Sequence, residues 1–222
     1  MSKKSWFDTG SKADEALDRE LESQEERRKN ATGSRLYRFW MPAGGEQYVT
    51  FVDGEMHPEG YALPFVFYEH QLKLNGSWKN WFTCPGEGCP LCENGNRPSL
   101  VAAYTVIDHN EWTDKKGNVH KDELKLFMAK PSVNKILRKM ARKKGGLRGW
   151  KVELTRGTSE DPSTGKQFDF EERVELPEDI QPGDYMSLFA PKSKDELAAV
   201  HGGGGGDAPS LNVDADDETV NF

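Results

Sequence analysis

The chain is short of the material that most folded domains are built from. Only 35% of its 222 residues are hydrophobic, 30% are charged, and the mean hydropathy is −0.80. A chain this polar cannot be core throughout, so part of it is expected to be a solvated arm or disordered. No apolar run approaches the ~20 residues that a membrane helix needs, which excludes an integral helical membrane protein. The opening Met1-Ser2-Lys3-Lys4-Ser5 leads into polar sequence with no apolar signal region, so secretion is not expected. The three cysteines all lie between residues 84 and 92. They are too few and too clustered for a disulfide framework, and a reducing cytoplasm with a metal site fits them better. Enzyme signatures are missing as well: there is no G-x-x-x-x-G-K-[ST] loop, no H-E-x-x-H and no complete deaminase H-x-E…P-C-x-x-C signature. Glu171-Glu172 is a carboxylate pair, but a nuclease needs acids beside its basic surface. The expectation is a protein that is not an enzyme.

Charge is unevenly spread. From Asp207 to Phe222 there are five acids and no Lys or Arg, and without those five the net charge of −7 becomes −2. Between Lys130 and Arg156 there are ten Lys or Arg and one acid, Glu153. A basic stripe therefore accompanies an acidic tail, a distribution that suits nucleic acid better than the net charge does.

Residues 1–34 read as a charged arm, with Ala13, Ala16, Leu17 and Leu21 forming a weak helical stripe. From Arg35 the pattern changes to period two. Leu36–Met41, Gln47–Val52, Leu63–Glu69, Lys79–Thr83, Leu100–Ile107, Glu123–Ala129 and Trp150–Thr155 are predicted strands, separated by turns at Gly44-Gly45, Asn75-Gly76, Lys116–Asn118 and Asp161–Gly165. Short strands at this spacing make the chain mainly β with short helices, a small sandwich or barrel. Phe51, Phe65, Phe67 and Phe127 are the expected core aromatics. Val133, Ile136, Leu137, Met140 and Ala141 recur at helical spacing, with Ser132 as the expected N-cap, Gly145 as the stop, and Lys135, Arg138, Lys139, Arg142 and Lys143 on the other faces. Ser193 and Glu196 form a capping-box pattern for a last short helix. Gly202–Gly206 is a flexible tether to the tail, so the expected division is an arm at 1–34, a core at 35–200 and a tether with tail at 201–222.

Cys84-Pro-Gly-Glu-Gly-Cys89-Pro-Leu-Cys92 is C-x4-C-x2-C, in which Gly86 and Gly88 let the backbone fold round an ion. Zinc takes four ligands from Cys and His, so one His must complete the set. His201 borders the tether. His70 ends a predicted strand, and Asn75-Gly76 turns the chain back so that Cys84 ends the next. His70, Cys84, Cys89 and Cys92 are the expected ligands of one structural zinc in a subdomain at about residues 70–95, with no open position for a reacting water. Plant-type iron–sulfur sites share the cysteine spacing but use a fourth Cys, which this chain lacks.

Aromatics interleave with cations at Tyr37, Arg38 and Trp40, at Lys73, Trp78, Lys79 and Trp81, and at Arg148 and Trp150. Single-stranded nucleic acid offers phosphates to cations and unstacked bases to aromatic faces. These residues, with Arg138, Lys139, Arg142 and Lys143, are the candidate DNA contacts. Trp78 and Trp81 fit a groove and a core equally well.

The order of arm, strand–His70–Asn75-Gly76-Ser77-Trp78 hairpin, Thr83-Cys84, Cys89-Pro90-Leu91-Cys92 knuckle, strand Ala103–Asp108, basic helix with Ile136–Met140 and acidic tail resembles the single-stranded DNA-binding (helix-destabilising) proteins of T-even-like bacteriophages. The likeness covers residues 34–176. It implies an OB-fold core, a zinc subdomain held by His70, Cys84, Cys89 and Cys92, and Trp78 in the groove. It also implies an N-terminal arm for self-association on DNA, for which Lys3-Lys4-Ser5 and Arg27-Arg28-Lys29 are the candidates. The gap between the first two cysteines is shorter here than in that family, and the terminal Phe222 is closer to the tails of bacterial and T-odd-phage single-strand binders.

The expected function is therefore sequence-independent coating and protection of single-stranded DNA in phage replication, recombination and repair, in the cytoplasm of an infected bacterium. The tail, through Asp214, Asp216, Asp217, Glu218 and Phe222, is expected to recruit a polymerase, a helicase or primase, and recombination proteins. The alternatives are a zinc-ribbon module that reads duplex DNA and a metal-dependent nuclease.

Overall fold

Alternating apolar residues in most of the predicted strands find a common interior. The computed structural model describes residues 36–74, 76–113 and 117–202. The arm stripe, the basic candidates Lys3-Lys4-Ser5 and Arg27–Lys29, Asn75, Lys116, the glycines from 203 onward and the tail residues Asp214, Asp216, Asp217, Glu218 and Phe222 lie outside the described residues.

Among the described residues the chain forms ten strands: β1 Tyr37–Arg38, β2 Glu46–Phe51, β3 Phe65–Leu74, β4 Ser77–Thr83, β5 Ser99–Asp108, β6 Trp112–Thr113, β7 Val119–His120, β8 Glu123–Ala129, β9 Trp150–Thr155 and β10 Gln167–Arg173. Four helices accompany them: α1 Pro90–Glu93, α2 Pro131–Lys144, α3 Tyr185–Leu188 and α4 Lys194–Gly202. The protein is mainly β with short helices. One mixed sheet runs β1-β8-β5-β2-β9-β10, with the β3–β4 hairpin branching from β5, and β6–β7 forms a separate ribbon. No helix among the described residues is long and apolar enough to cross a membrane.

β5 organises the sheet. One edge pairs with β8 along Ala102–Asp108; the other pairs with β3 through Ser99–Ala103 and with β2 through Val106–Asp108. Its residues from Val101 to Asp108 are buried without alternation, because both faces are covered. On one face Tyr104 meets Phe51 edge-on, Phe51 meets Phe127, and Val133, Leu137 and Ala141 of α2 join the same core. On the other face Thr105 meets Tyr185 of a C-terminal strap that also stacks Phe189 on Phe67. Phe51 and Phe127 are core as expected. Phe65 and Phe67 are instead half-buried, outside the main core, because they face the strap.

The segment from Tyr37 to Met41 touches both β8 and the β9–β10 turn. β1 runs parallel to β8, the Phe39 N–H donates to Leu126 O (2.8 Å), and the Met41 N–H donates to Ser163 O (3.0 Å) in the β9–β10 turn. Phe39 stacks on Phe127 of β8, which in turn meets Phe168 of β10 edge-on.

Several boundaries differ from expectation. β3 continues past His70 to Leu74, since Leu72 and Leu74 keep one side of the hairpin apolar. Lys130, not Ser132, is the N-cap of α2: Pro131 at the first helical position presets φ, so the helix starts earlier and Ser132 falls inside it. Gly145 ends α2 with φ 74°, as the sequence predicts. Ile136 is exposed, leaving Val133, Leu137 and Ala141 as the buried stripe. Gly202 belongs to α4 rather than to a tether. β10 escapes the sequence pattern because acids flank Phe168 and Phe170 on a one-sided edge strand.

A buried carboxylate locks the strap. Asp53 accepts from the Thr105 N–H and from the Tyr185 hydroxyl, and the Tyr185 oxygen lies 2.7 Å from Thr105 Oγ1. Burial pushes Asp53 from 3.8 up to about 7; Glu55 adds to the rise and the Tyr185 and Thr105 bonds partly offset it. Native Asp53 thus keeps its proton through a range in which the unfolded chain has lost it. Its contribution is complete below the unfolded value and is lost as pH rises towards 7. Asp53→Asn is expected to abolish that decline, on the order of 4 kcal/mol at most. Urea denaturation of both proteins at about pH 5 and about pH 8 measures it.

Candidate metal centre and basic groove

His70 is fully buried in the middle of β3 and pairs in register with Phe82 of β4. The Cys84 N–H donates to Tyr68 O (2.8 Å), so the chain leaving β4 returns alongside the His70 strand. Positive φ at Gly86 (88°) and Gly88 (66°) then turns it sharply, and the Cys89 N–H closes the loop on Gly86 O (3.2 Å). Cys89 caps α1 with Pro90 at its first position, and this single turn carries Cys92 to the same side as Cys89.

The ligating atoms of His70, Cys84, Cys89 and Cys92 all lie within 4.8 Å of one another, close enough to bind one metal ion. His70 Nε2 is 3.3 Å from Cys89 Sγ and 3.6 Å from Cys92 Sγ, and Cys84 Sγ is 3.7 Å from Cys92 Sγ. The sequence-predicted ligand set is thus assembled in one place. Cys92 is exposed as a residue, yet its sulfur faces the other donors. Loss of solvent around that sulfur and the neighbouring Cys84 and Cys89 sulfurs push its thiol up to about 12. Burial raises Cys89 too, but the N–H groups of Cys92 and Leu91, together with the Cys84 and Cys92 side chains, outweigh it and hold this thiol below its ordinary value. Three crowded sulfurs cannot all carry charge unaided, and a divalent cation relieves that repulsion.

Asn96 is the member that the sequence did not reveal. Its Oδ1 lies 2.7 Å from His70 Nδ1, while its Nδ2 donates to Gln71 O (3.3 Å). Nδ1 therefore carries the ring hydrogen, and the Nε2 lone pair is aimed at the sulfurs. Twenty-odd residues separate the two in sequence, and an Asn after a Gly reads as a turn. Asn96→Leu is expected to weaken metal binding ~10–100-fold with the four donors intact. Competition with a colorimetric zinc chelator measures it.

A groove of about 590 Å³ runs between α2 and the β3–β5 pair. Its wall is Lys135, Arg138, Lys139, Arg142 and Lys143, and its floor is Val66, Leu100, Ala102 and Ala129. Four of these cations, Arg138, Lys139, Arg142 and Lys143, are sequence-predicted contacts. Val66 pairs with Ala102 and Tyr68 pairs with Leu100, so all four share one sheet face. Tyr68 is 53% exposed there, an aromatic that the sequence hid in an apolar run.

The other candidates are dispersed. Trp40, Tyr37, Lys73 and Trp78 are exposed, and Lys79 lies on β4. Arg38 is held by Glu69 (Nη2 to Oε2 2.5 Å) and lies 4.2 Å over the ring of half-buried Trp81. Arg148 donates to the Val52 carbonyl and faces Glu55, and half-buried Trp150 packs edge-on to Phe170 under the Lys144 ammonium. These pairings occupy Arg38, Trp81, Arg148 and Trp150 within the fold.

A scan against protein-family models and a search of the curated proteins found no match to this chain.

Proposed function

We propose that this protein binds single-stranded DNA without sequence preference through an OB-fold body stabilised by one structural zinc. The observation that carries the reading is the groove: five cations along one helix face an apolar floor with an exposed Tyr68 on the same sheet face. Cations track a phosphate backbone, and an apolar and aromatic surface takes unstacked bases, which duplex DNA keeps inside.

Three features support the body as an OB-fold. Taken alone, β2, β5, β8, β9 and β10 lie in the order β8-β5-β2-β9-β10, with α2 between β8 and β9 along the chain. The Tyr37–Met41 segment bridges the two ends, and Phe127 meets Phe168 across the gap. A five-stranded, partly open barrel has this character. For the metal, tetrahedral zinc with Zn–S bonds of ~2.3 Å places sulfurs about 3.8 Å apart. The 3.7 Å between Cys84 and Cys92 matches, and the donor set of three Cys and one His suits zinc over harder ions.

On this reading the protein is not an enzyme. It coats and protects exposed strands during phage replication, recombination and repair in the host cytoplasm, removes hairpins by binding only the open form, and uses its acidic tail to recruit replication partners. Titrating intrinsic Trp fluorescence with oligo-dT at two salt concentrations, with duplex as competitor, tests it. Expected are saturable quenching, weaker binding at high salt and little competition by duplex. Preferential duplex binding would establish the transcription-module alternative, and magnesium-dependent cleavage the nuclease.

A further inference from the structure

The metal module has its own small core, separate from that of the sheet. Leu72 and Phe82 come from the β3–β4 hairpin, Cys89 and Leu91 from the knuckle, and the fifth member, Leu197, comes from α4 more than a hundred residues later. Leu197 is fully buried, and Val200, one turn on, packs against the same cluster. α4 lies against α1, the turn that carries Cys92, and the Lys194 side chain crosses Gly88 where a Cβ would collide with it. The helix is fixed at its start by a reciprocal cap: the Ser193 N–H donates to Glu196 Oε2 (2.9 Å) and the Glu196 N–H donates to Ser193 Oγ (3.3 Å).

We propose that α4 is a positioning element of the metal centre, and that zinc in turn holds α4 on the module. This rests on the zinc reading given above. A nine-residue helix is marginal by itself in water, so α4 depends on its docking site. That site consists of side chains from a knuckle and a hairpin that the four ligands draw together, beside a few hydrogen bonds such as those of Asn96 to His70 and Gln71, and a core of this size does not hold without a staple. Removing the metal opens the knuckle, separates Cys89 and Leu91 from Leu72 and Phe82, and leaves Leu197 without its pocket. The coupling is reciprocal: the factor by which zinc favours docking is the factor by which docking tightens zinc. α4 leads directly into residues 203–222, whose Asp207–Phe222 stretch carries five acids and no base. The metal state therefore sets where α4 sits, the last described element before that stretch in the sequence.

Hydrogen exchange of the full-length protein, with zinc and after chelation, tests the coupling. Peptides covering 194–202 are expected to exchange at least tenfold faster without zinc, while β2 and β8 keep their protection. In the same full chain, Leu197→Ala should surrender zinc to a colorimetric chelator roughly tenfold more readily, and Leu197→Met should stay near wild type. Glu196→Gln, which loosens the cap without touching the apolar cluster, should give a smaller shift in the same direction. Unchanged exchange over 194–202 on zinc removal, or wild-type zinc retention in both Leu197→Ala and Glu196→Gln, overturns the coupling and leaves the metal centre standing. A wild-type protein that takes up no zinc overturns both.

Discussion

Cys89→Ser protein is expected to purify without zinc, and the wild-type chain with one ion. Structural zinc contributes ~10–16 kcal/mol in small zinc-folded peptides, or about 3–4 kcal/mol for each of four ligands, a factor of ~10²–10³ in affinity. Cys89 is the deepest of the three sulfurs, so a serine there also buries a hydroxyl beside His70. His70→Ala keeps three thiolates and opens one position to water; it should lose the ion to the same chelator, but less completely. Damage should stay local. Phe51, Tyr104 and Phe127 touch none of the ligands, so the sheet should unfold at near its wild-type denaturant midpoint while the module frays. Metal analysis after dialysis against a weak chelator decides the matter. Stoichiometric zinc in both variants would remove these residues as ligands.

Neutralising the wall of the groove should have the largest effect on DNA. Replacing Arg138, Lys139, Arg142 and Lys143 with Gln preserves helix propensity and leaves Val133, Leu137 and Ala141 packed. For single strands each lost phosphate contact removes ~0.7 from the slope of log affinity against log salt, so the quadruple variant should lose close to 3. Extrapolated from 1 M salt, where the term vanishes, this is on the order of 10³-fold at about 50 mM. Tyr68→Ala and Trp78→Ala should behave differently. Each removes stacking worth ~1–3 kcal/mol, so affinity should fall about tenfold with the slope unchanged. A quadruple variant with a wild-type slope would mean that the helix face is merely solvated.

Much of the metal site was legible because its information is local. C-x4-C-x2-C fixes three donors within nine residues, and the hairpin turn brings His70 back to them. α2 was legible for the same reason: its buried stripe, its cations and Gly145 lie within one periodic segment. What the sequence hid depends on long-range contact. Asn96 matters only because the knuckle folds it against His70. Arg38 reads as a free cation until β3 delivers Glu69 to it. The strap was hidden because α3 has no buried residue of its own; Tyr185 and Phe189 are fixed by Thr105, Asp53, Phe65 and Phe67 from remote strands. Local rules cannot price such contacts, since burial there is set by what arrives from elsewhere.

The parallel pairing of β1 with β8 has a consequence during synthesis. Arg38 emerges from the ribosome early, but its partner Leu126 follows roughly ninety residues later, about 4–20 s at ~5–20 residues per second. Through that interval Phe39 and Met41, both buried in the finished protein, have neither β8 nor the β9–β10 turn to cover them. Docking of this segment is therefore late and non-local, as is that of the strap, where Tyr185 waits for Asp53 across 132 residues, and topologies of this kind fold slowly. The nascent chain leaves residues 37–41 uncovered through that interval, so a holdase has a window there, and synonymous codon changes between β1 and β8 are expected to alter the yield of soluble protein without altering any contact in the native state.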